Sequence, residues 1–409
     1  MTPQDQTTVP FGQRLRALRD RTGKTRAVLG GLVGRSEEWV KALETSRLHM
    51  PRLPMLIRLA DVLGVTDLEE LTGGQSIDVA RVVNAEHPAA PAIREAVQRY
   101  TLSRPTDEPQ PVTVLRDRVN RAWQTWHRSR TRRSDVGALL PALLLDCQHA
   151  AAGHDGTDRR TAHAVLADAY QLAQHALVNA AEPALLWLVV ERAMAAAQIA
   201  DEPIALAGAA WTVGMMLRAD ARTDEALALA GEAADLLEPY LPDAADDWCG
   251  MWGALQLHRA VTAARAGRDG EAWRHWDRAG EAVRRLPAGY YHPWTIFGGA
   301  NTDLTAISLT VDLWKSREAL RRAESIEPDG IPSRERRGRL FVEMARGHHA
   351  GDDRIATVRL LLAACDEGVD AVRYSPAARA IVDDLVERPP RAVRGDVRTL
   401  ASRIGLDPA

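Results

Sequence analysis

Residues 11–71 read FGQRLRALRDRTGKTRAVLGGLVGRSEEWVKALETSRLHMPRLPMLIRLADVLGVTDLEEL, and their apolar spacing sets out five short helices in succession. Phe11, Leu15 and Leu18 recur at intervals of four and three, giving the first helix one apolar face and leaving most of its arginines on the other. Gly23 ends that helix. Thr25 is placed to cap a second one, whose apolar positions are Val28, Leu29, Leu32 and Val33. Gly30 is the small residue that lets a third helix cross closely, and Gly34 permits a tight turn because it has no Cβ to clash. Ser36 caps the third helix, with Glu37 and Glu38 in its first turn. Val40 and Leu43 point inward there; Glu37, Glu38, Lys41, Ala42 and Thr45 do not. A fourth helix from about Arg52 to Leu63 turns Leu56, Leu59, Ala60 and Leu63 inward, and a fifth runs from Asp67 to Leu71.

This run resembles the Xre/Cro/C1-type helix-turn-helix family of phage repressors and bacterial regulators. The resemblance covers residues 11–73 and rests on RLRALR, on Thr25, Leu29, Gly34, Ser36, Val40 and Leu43-Glu44, on Pro51, and on LIRLADVLGV. It implies a domain that binds double-stranded DNA with its third helix in the major groove. Carried over, the contacting positions are Arg26, Ser36, Glu37, Glu38, Lys41, Ala42 and Arg47. Family members often have Gln where Arg26 stands and Gly where Ser46 stands. An arginine can take a phosphate or a guanine edge. A glutamate can accept from cytosine N4 but repels phosphate, and Glu37 and Glu38 are equally well explained as helix caps. Trp39 is bulky for a groove-bound helix and suits packing against the fourth helix or a larger domain.

Composition agrees without deciding. The 409 residues suffice for two or three domains, and the net charge of −3 is uneven. Residues 1–74 hold 11 Lys/Arg against 9 Asp/Glu, too slight an excess to indicate nucleic acid alone. Abundant Ala and Leu favour helix over sheet. Three distant cysteines, Cys147, Cys249 and Cys365, fit a reducing cytoplasm. The first residues lack a signal peptide's pattern, and the apolar stretch Pro203–Leu217 is shorter than a membrane span, so a cytoplasmic protein is expected.

Residues 75–110, with prolines at 88, 91, 105 and 109, read as a linker or hinge after a domain spanning 1–74, interrupted by a helical segment Ile93–Leu102. From Pro111 a helix resumes with Leu115, Val119, Ala122 and Trp126 as its stripe. Its basic tail, Arg128, Arg130, Arg132 and Arg133, suits a solvated helix end. Residues 111–409 are then expected to form a helical-repeat body for regulation and oligomerisation.

Two helices opened by Glu-Pro, at Pro183 and Pro203, suggest a repeat. Trp211–Leu217 with Ala226 and Ala233 form the clearest unit; Ala260 and Ala263 with Ala272, Trp276 and Ala279 form another. Weaker copies carry Ala319 and Ala323, then Ala356, Leu360 and Ala363. These units are similar to the tetratricopeptide-repeat family. Gly214 and Ala260 stand 46 residues apart, longer than that family's usual spacing, so its helices or loops must be extended. The resemblance implies an all-α solenoid whose concave inner surface stays open to a peptide or small ligand. Trp252, Trp273, Trp276, Tyr290, Tyr291 and Trp294 are the candidate ligand-binding residues, although core packing uses the same side chains.

No HExxH, GxSxG, Walker-type or dinucleotide motif occurs, so no catalytic residue, cofactor or metal is expected. His348 and His349 are adjacent and would diverge on a helix; His154, Asp155 and Asp158 suit a solvated turn. Taken together, the residues suggest a DNA-binding transcriptional regulator of the long actinomycete kind, dimeric and controlled by a peptide, small ligand or protein. The alternative is an interaction scaffold that does not bind DNA.

Overall fold

The computed structural model describes residues 10–33, 35–45, 47–48, 50–51, 53–65, 68–73, 86–100, 106–313 and 315–406. Gly34, Ser46, Arg52 and Asp67 lie outside the described residues. The chain divides into two compact units, residues 1–85 and 86–409, and the described residues contain helices and no strand.

In the smaller unit α1 spans Phe11–Arg21, α2 Arg26–Leu32, α3 Glu37–Glu44, α4 Leu53–Val62 and α5 Leu68–Thr72. Its core joins Leu15, Leu18, Leu29, Val40, Leu43 and Leu59, with Val33 and Leu71 also buried. Val28 and Leu32, expected in that core, instead lie about half-exposed, at 50% and 47%. The α2 helix is too short to bury more than one narrow face, and Leu29 and Val33 occupy it. Two glycines set the packing. A Cβ on Gly30 would come within 2.7 Å of the Arg35 carbonyl oxygen, and one on Gly12 within 2.4 Å of the Leu43 oxygen.

The larger unit opens with α6, Ala90–Gln98, whose Ile93, Ala96 and Val97 are buried in its core. The expected linker at 75–110 is therefore no linker from residue 86 to the end of α6. The periodic apolar face of this short helix outweighs the prolines around it, and Pro91 sits in its first turn, where a missing N–H costs nothing.

Among the described residues six helical hairpins follow. They pair α7 (Val112–Arg128) with α8 (Arg132–Gly153), α9 (Gly156–Leu177) with α10 (Pro183–Ala200), and α11 (Pro203–Ala219) with α12 (Thr223–Leu237). The remaining three pair α13 (Asp246–Arg265) with α14 (Asp269–Arg285), α15 (Gly299–Asp312) with α16 (Ser316–Ala323), and α17 (Arg334–Ala350) with α18 (Arg354–Glu367). Short helices α19 (Asp370–Arg373), α20 (Pro376–Glu387) and α21 (Arg394–Ile404) pack on the last hairpin. Four hairpins share one turn. Arg222, Arg268, Lys315 and Asp353, each just before an outer helix, donate N–H to the carbonyl five residues back, on Leu217, Ala263, Thr310 and His348. Ala221, Gly267 and Asp352 precede three of them in the left-handed region, as that closure requires.

Each odd-numbered helix from α7 packs on the next odd one, and α17 returns to α7. These six form an inner ring and the even-numbered helices an outer one. Burial follows: residues 164–177 of α9 are buried without interruption, whereas α14 buries only Ala272, His275, Ala279 and Ala282. The ring climbs as it closes, because the start of α17 meets the end of α7. There His127 Nδ1 lies 3.0 Å from the Ser333 hydroxyl and Nε2 lies 3.0 Å from the Trp294 carbonyl. The open concave groove expected from the sequence is thus closed. Small residues on inner helices permit the curvature: a Cβ on Gly208 would stand 2.9 Å from the Gln171 amide, and one on Gly214 2.8 Å from His258 Nε2.

The wide repeat spacing is explained by the 20-residue α13 and by the turn at Glu238–Tyr240 before it. In the last hairpin Thr357, Leu361 and Ala364 are buried, one position on from the expected Ala356, Leu360 and Ala363, together with Val358 and Cys365. The Pro203 helix is buried, as expected. Two others, α8 and α10, are long and apolar enough to cross a bilayer, but both contribute to the core. All three cysteines are buried and unpaired.

Candidate functional site

Side-chain caps open both α2 and α3. The Thr25 hydroxyl accepts from the Val28 N–H and the Ser36 hydroxyl from the Trp39 N–H, each at 3.2 Å. Ser36 is therefore occupied as a cap, at one end of the surface it was expected to share. On α3, Glu37, Glu38 and Lys41 are exposed and Ala42 is half-buried, while Val40 and Leu43 hold the helix to the core. Arg47 is exposed just beyond the helix, its N–H bonded to the Ala42 carbonyl at 2.8 Å. Trp39 is half-buried against the small unit's own core, with the Arg35 guanidinium 5.7 Å from its ring centroid. Packed inward, it leaves the outer face of α3 to the polar residues.

Arg26 has a second attachment. Its Nε donates to Glu44 Oε2 at 2.7 Å, and Arg19 Nε donates to the other oxygen, Oε1, at 2.5 Å. Arg19 also donates to the Lys24 carbonyl at 2.8 Å, closing the α1–α2 turn. The Glu44 side chain is only 1% accessible. Burial pushes its carboxyl up, but the hydrogen bonds from Arg19 and Arg26 outweigh that and hold it below the ordinary carboxylate range. The bond to Glu44 orients Arg26 and leaves 30% of its side chain accessible. Sequence reasoning placed Arg26 at the surface but gave Glu44 and Arg19 no role. Their separation of 25 residues leaves no periodic signal.

The small unit thus presents two capped helices joined by a tight turn, the second carrying an exposed polar face. Residues 10–71 match a family model described as a helix-turn-helix domain. The chain carries a helix-turn-helix domain, consistent with DNA binding, and that match spans the unit holding Arg26, Lys41 and Arg47. No curated protein matches the chain.

The aromatic candidates in the larger unit do not converge. Tyr290 and Tyr291 line a cleft of about 220 Å³ with Leu286, Gly298 and Ile331. The Tyr290 hydroxyl donates to Asp247 at 2.7 Å. Trp273 and Trp276 meet edge-on at 5.6 Å, and Trp276 donates its indole N–H to the Thr302 carbonyl. Trp252 is buried beneath the Arg278 guanidinium, and Trp294 stacks on Trp123 at 6.4 Å. Trp252, Trp273, Trp276 and Trp294 pack into the clusters between helices, Trp252 from an inner helix and Trp273 and Trp276 from an outer one.

The basic tail after α7 also divides. Arg128 and Arg130 are exposed, but Arg132 and Arg133 are buried, at 4% and 6%. The Arg133 guanidinium donates to the carbonyls of His175, Ala176 and Val178 at the end of α9. His149 and His154 bond the carbonyls of Asp107 and Gln110. Among the described residues no group of three His, Cys, Asp or Glu side chains could hold a metal.

Proposed function

We propose that the protein is a sequence-specific DNA-binding transcriptional regulator whose larger unit receives an effector. The observation that supports it is the capped α2–α3 pair: Lys41 stands exposed on a helix that Val40 and Leu43 anchor from behind, with the partly exposed Arg26 opening α2 and the exposed Arg47 just beyond α3. Such a helix fits the major groove of B-DNA, where Lys and Arg take phosphate or guanine. Glu37 and Glu38 favour cytosine at their positions and weaken binding elsewhere. One head reads few base pairs, so the working form is a homodimer on paired half-sites. The larger unit has no catalytic role in this reading. A peptide, small molecule or protein bound there changes the pairing of heads, and with it DNA affinity.

The test is selection of bound fragments from a random DNA pool by the full-length protein at moderate salt. A two-fold motif is expected, lost in the Arg26→Ala, Lys41→Ala double variant. The acidic start of α3 favours one other reading, an interaction scaffold that has given up DNA; absence of any motif, with or without added effector, would establish it.

A further inference from the structure

The centre of the larger unit is polar. Buried His127, Gln171, Gln174, His175 and His258 all lie on inner helices, while the hairpin interfaces are largely alanine and leucine. The seam where α17 meets α7 adds buried charge, with Arg132, Arg133 and Arg336. Arg132 there lies 5.5 Å over the Trp126 ring, and its Nε and Nη1 find no hydrogen-bond partner among the described residues. Arg336 donates Nη2 to the Thr295 carbonyl at 3.0 Å, and its Nη1 lies 3.2 Å from Glu335 Oε2, but its Nε has no partner. Arg339 stands one turn further along α17, half-buried, and pairs with no carboxylate among the described residues.

These three guanidinium groups share one acid, Glu335. Burial raises its carboxyl, but Arg336, Arg132 and Arg339 prevail and hold it down at about 2. The rings around the cluster bring no further charge, since burial pushes His127 down to about 3 and His175 to about 4. Trp123 and Trp211 close over them, with His175 5.1 Å from the first ring and 5.0 Å from the second. The cluster reaches water, because 18% of the Glu335 side chain and part of Arg339 stay accessible. Counting Arg133 beside Arg132, four arginines face two carboxylates, Glu335 and Asp370, and N–H donors of Arg132, Arg133 and Arg336 stay unmatched in a desolvated place. A planar guanidinium fork is matched by carboxylate or phosphate oxygens.

We propose that this seam binds a small organic dianion, a phosphate monoester or a dicarboxylate, with Arg132, Arg336 and Arg339 taking its anionic oxygens beside Glu335. The site deepens the reading of the larger unit as the effector-receiving part, and as an effector site it rests on that reading.

Calorimetric titration of the full-length protein with phenyl phosphate and with succinate, at constant ionic strength, tests it. Benzyl alcohol is the uncharged control. Saturable binding of at least one dianion is expected, the two arms separating phosphate from carboxylate recognition. R339Q should weaken it tenfold or more, and R132K at least threefold. E335Q removes the competing carboxylate and should tighten it at least threefold, which a purely structural role for the cluster would not produce. Arg339 is half-buried, so R339Q tests the site without opening the core. No saturable heat with either dianion, or equal affinity in R339Q, overturns the site. DNA affinity measured on the same samples separates the two readings. Loss of anion binding with a DNA motif retained overturns only the seam site. Anion binding that leaves DNA affinity unchanged keeps the site and overturns its effector role.

Discussion

At the residue scale, Glu44 carries more than its sequence position suggests. It is the one carboxylate joining Arg19 of α1 and Arg26 of α2 to α3. Glu44→Gln leaves the buried Arg19 with only the more exposed Asp20 carboxylate, 2.7 Å from its Nη1, and should cost the small unit about 3 kcal/mol, the scale for breaking a buried pair. Hydrogen exchange of residues 11–44 in the intact chain would show it as lost protection. The sign with pH is fixed. Because the folded carboxyl titrates below its unfolded value, this stabilisation is complete above about pH 4.3 and disappears as pH falls through the folded value. Lys41→Ala should weaken DNA binding by about 1–3 kcal/mol without moving protection, and Glu37→Gln should raise affinity for unrelated DNA in an electrophoretic titration. The caps Thr25 and Ser36 and the close approach at Gly30 were legible in the sequence because each acts within a few residues. The Glu44 network was not, since it joins side chains through space across three helices.

At the element scale, the shared hairpin turn makes the repeats comparable. Ala221 and Gly267 occupy the same position in successive turns, both left-handed, at φ 59° and 74°. An L side chain there is strained by about 1–2 kcal/mol. Ala221→Gly should therefore stabilise the larger unit by about 0.5–1 kcal/mol, and Gly267→Ala should destabilise it by a similar amount, as read from urea midpoints. Equal signs in the two variants would contradict the equivalence of the turns. Helix positions here were legible from alanine spacing and from Pro183 and Pro203, each in the first turn of its helix. The burial of Arg132 and Arg133 was not. A run of arginines reads as solvated when its neighbours in space come from α9 and from segments beyond residue 290.

At the scale of the whole larger unit, closure ties stability to pH. His127 and His175 stay neutral when folded, so each costs about 2 kcal/mol as pH falls from 6.5 to 5, while the unfolded histidines take up protons. Asp168 acts in the opposite sense. Burial pushes it up to about 8, so acidification over the same range returns about 2 kcal/mol. Net loss on mild acidification is expected in urea unfolding of the intact chain, and His175→Gln should reduce it. No local pattern announces that six hairpins suffice for α17 to reach α7, which is why the sequence suggested an open array.

That seam has a consequence for synthesis. His127 and Ser333 are 206 residues apart, and ribosomes add about 5–20 residues per second. The end of α7, with the His127 ring, must then wait roughly 10–40 s for Ser333 to reach it. Over that interval the nascent chain carries an unclosed ring whose first inner helix lacks its last neighbour, which makes it a client for chaperones at the exit tunnel. A chain truncated before α17 would never close the ring and should be cleared or aggregate, even with five of its six hairpins intact.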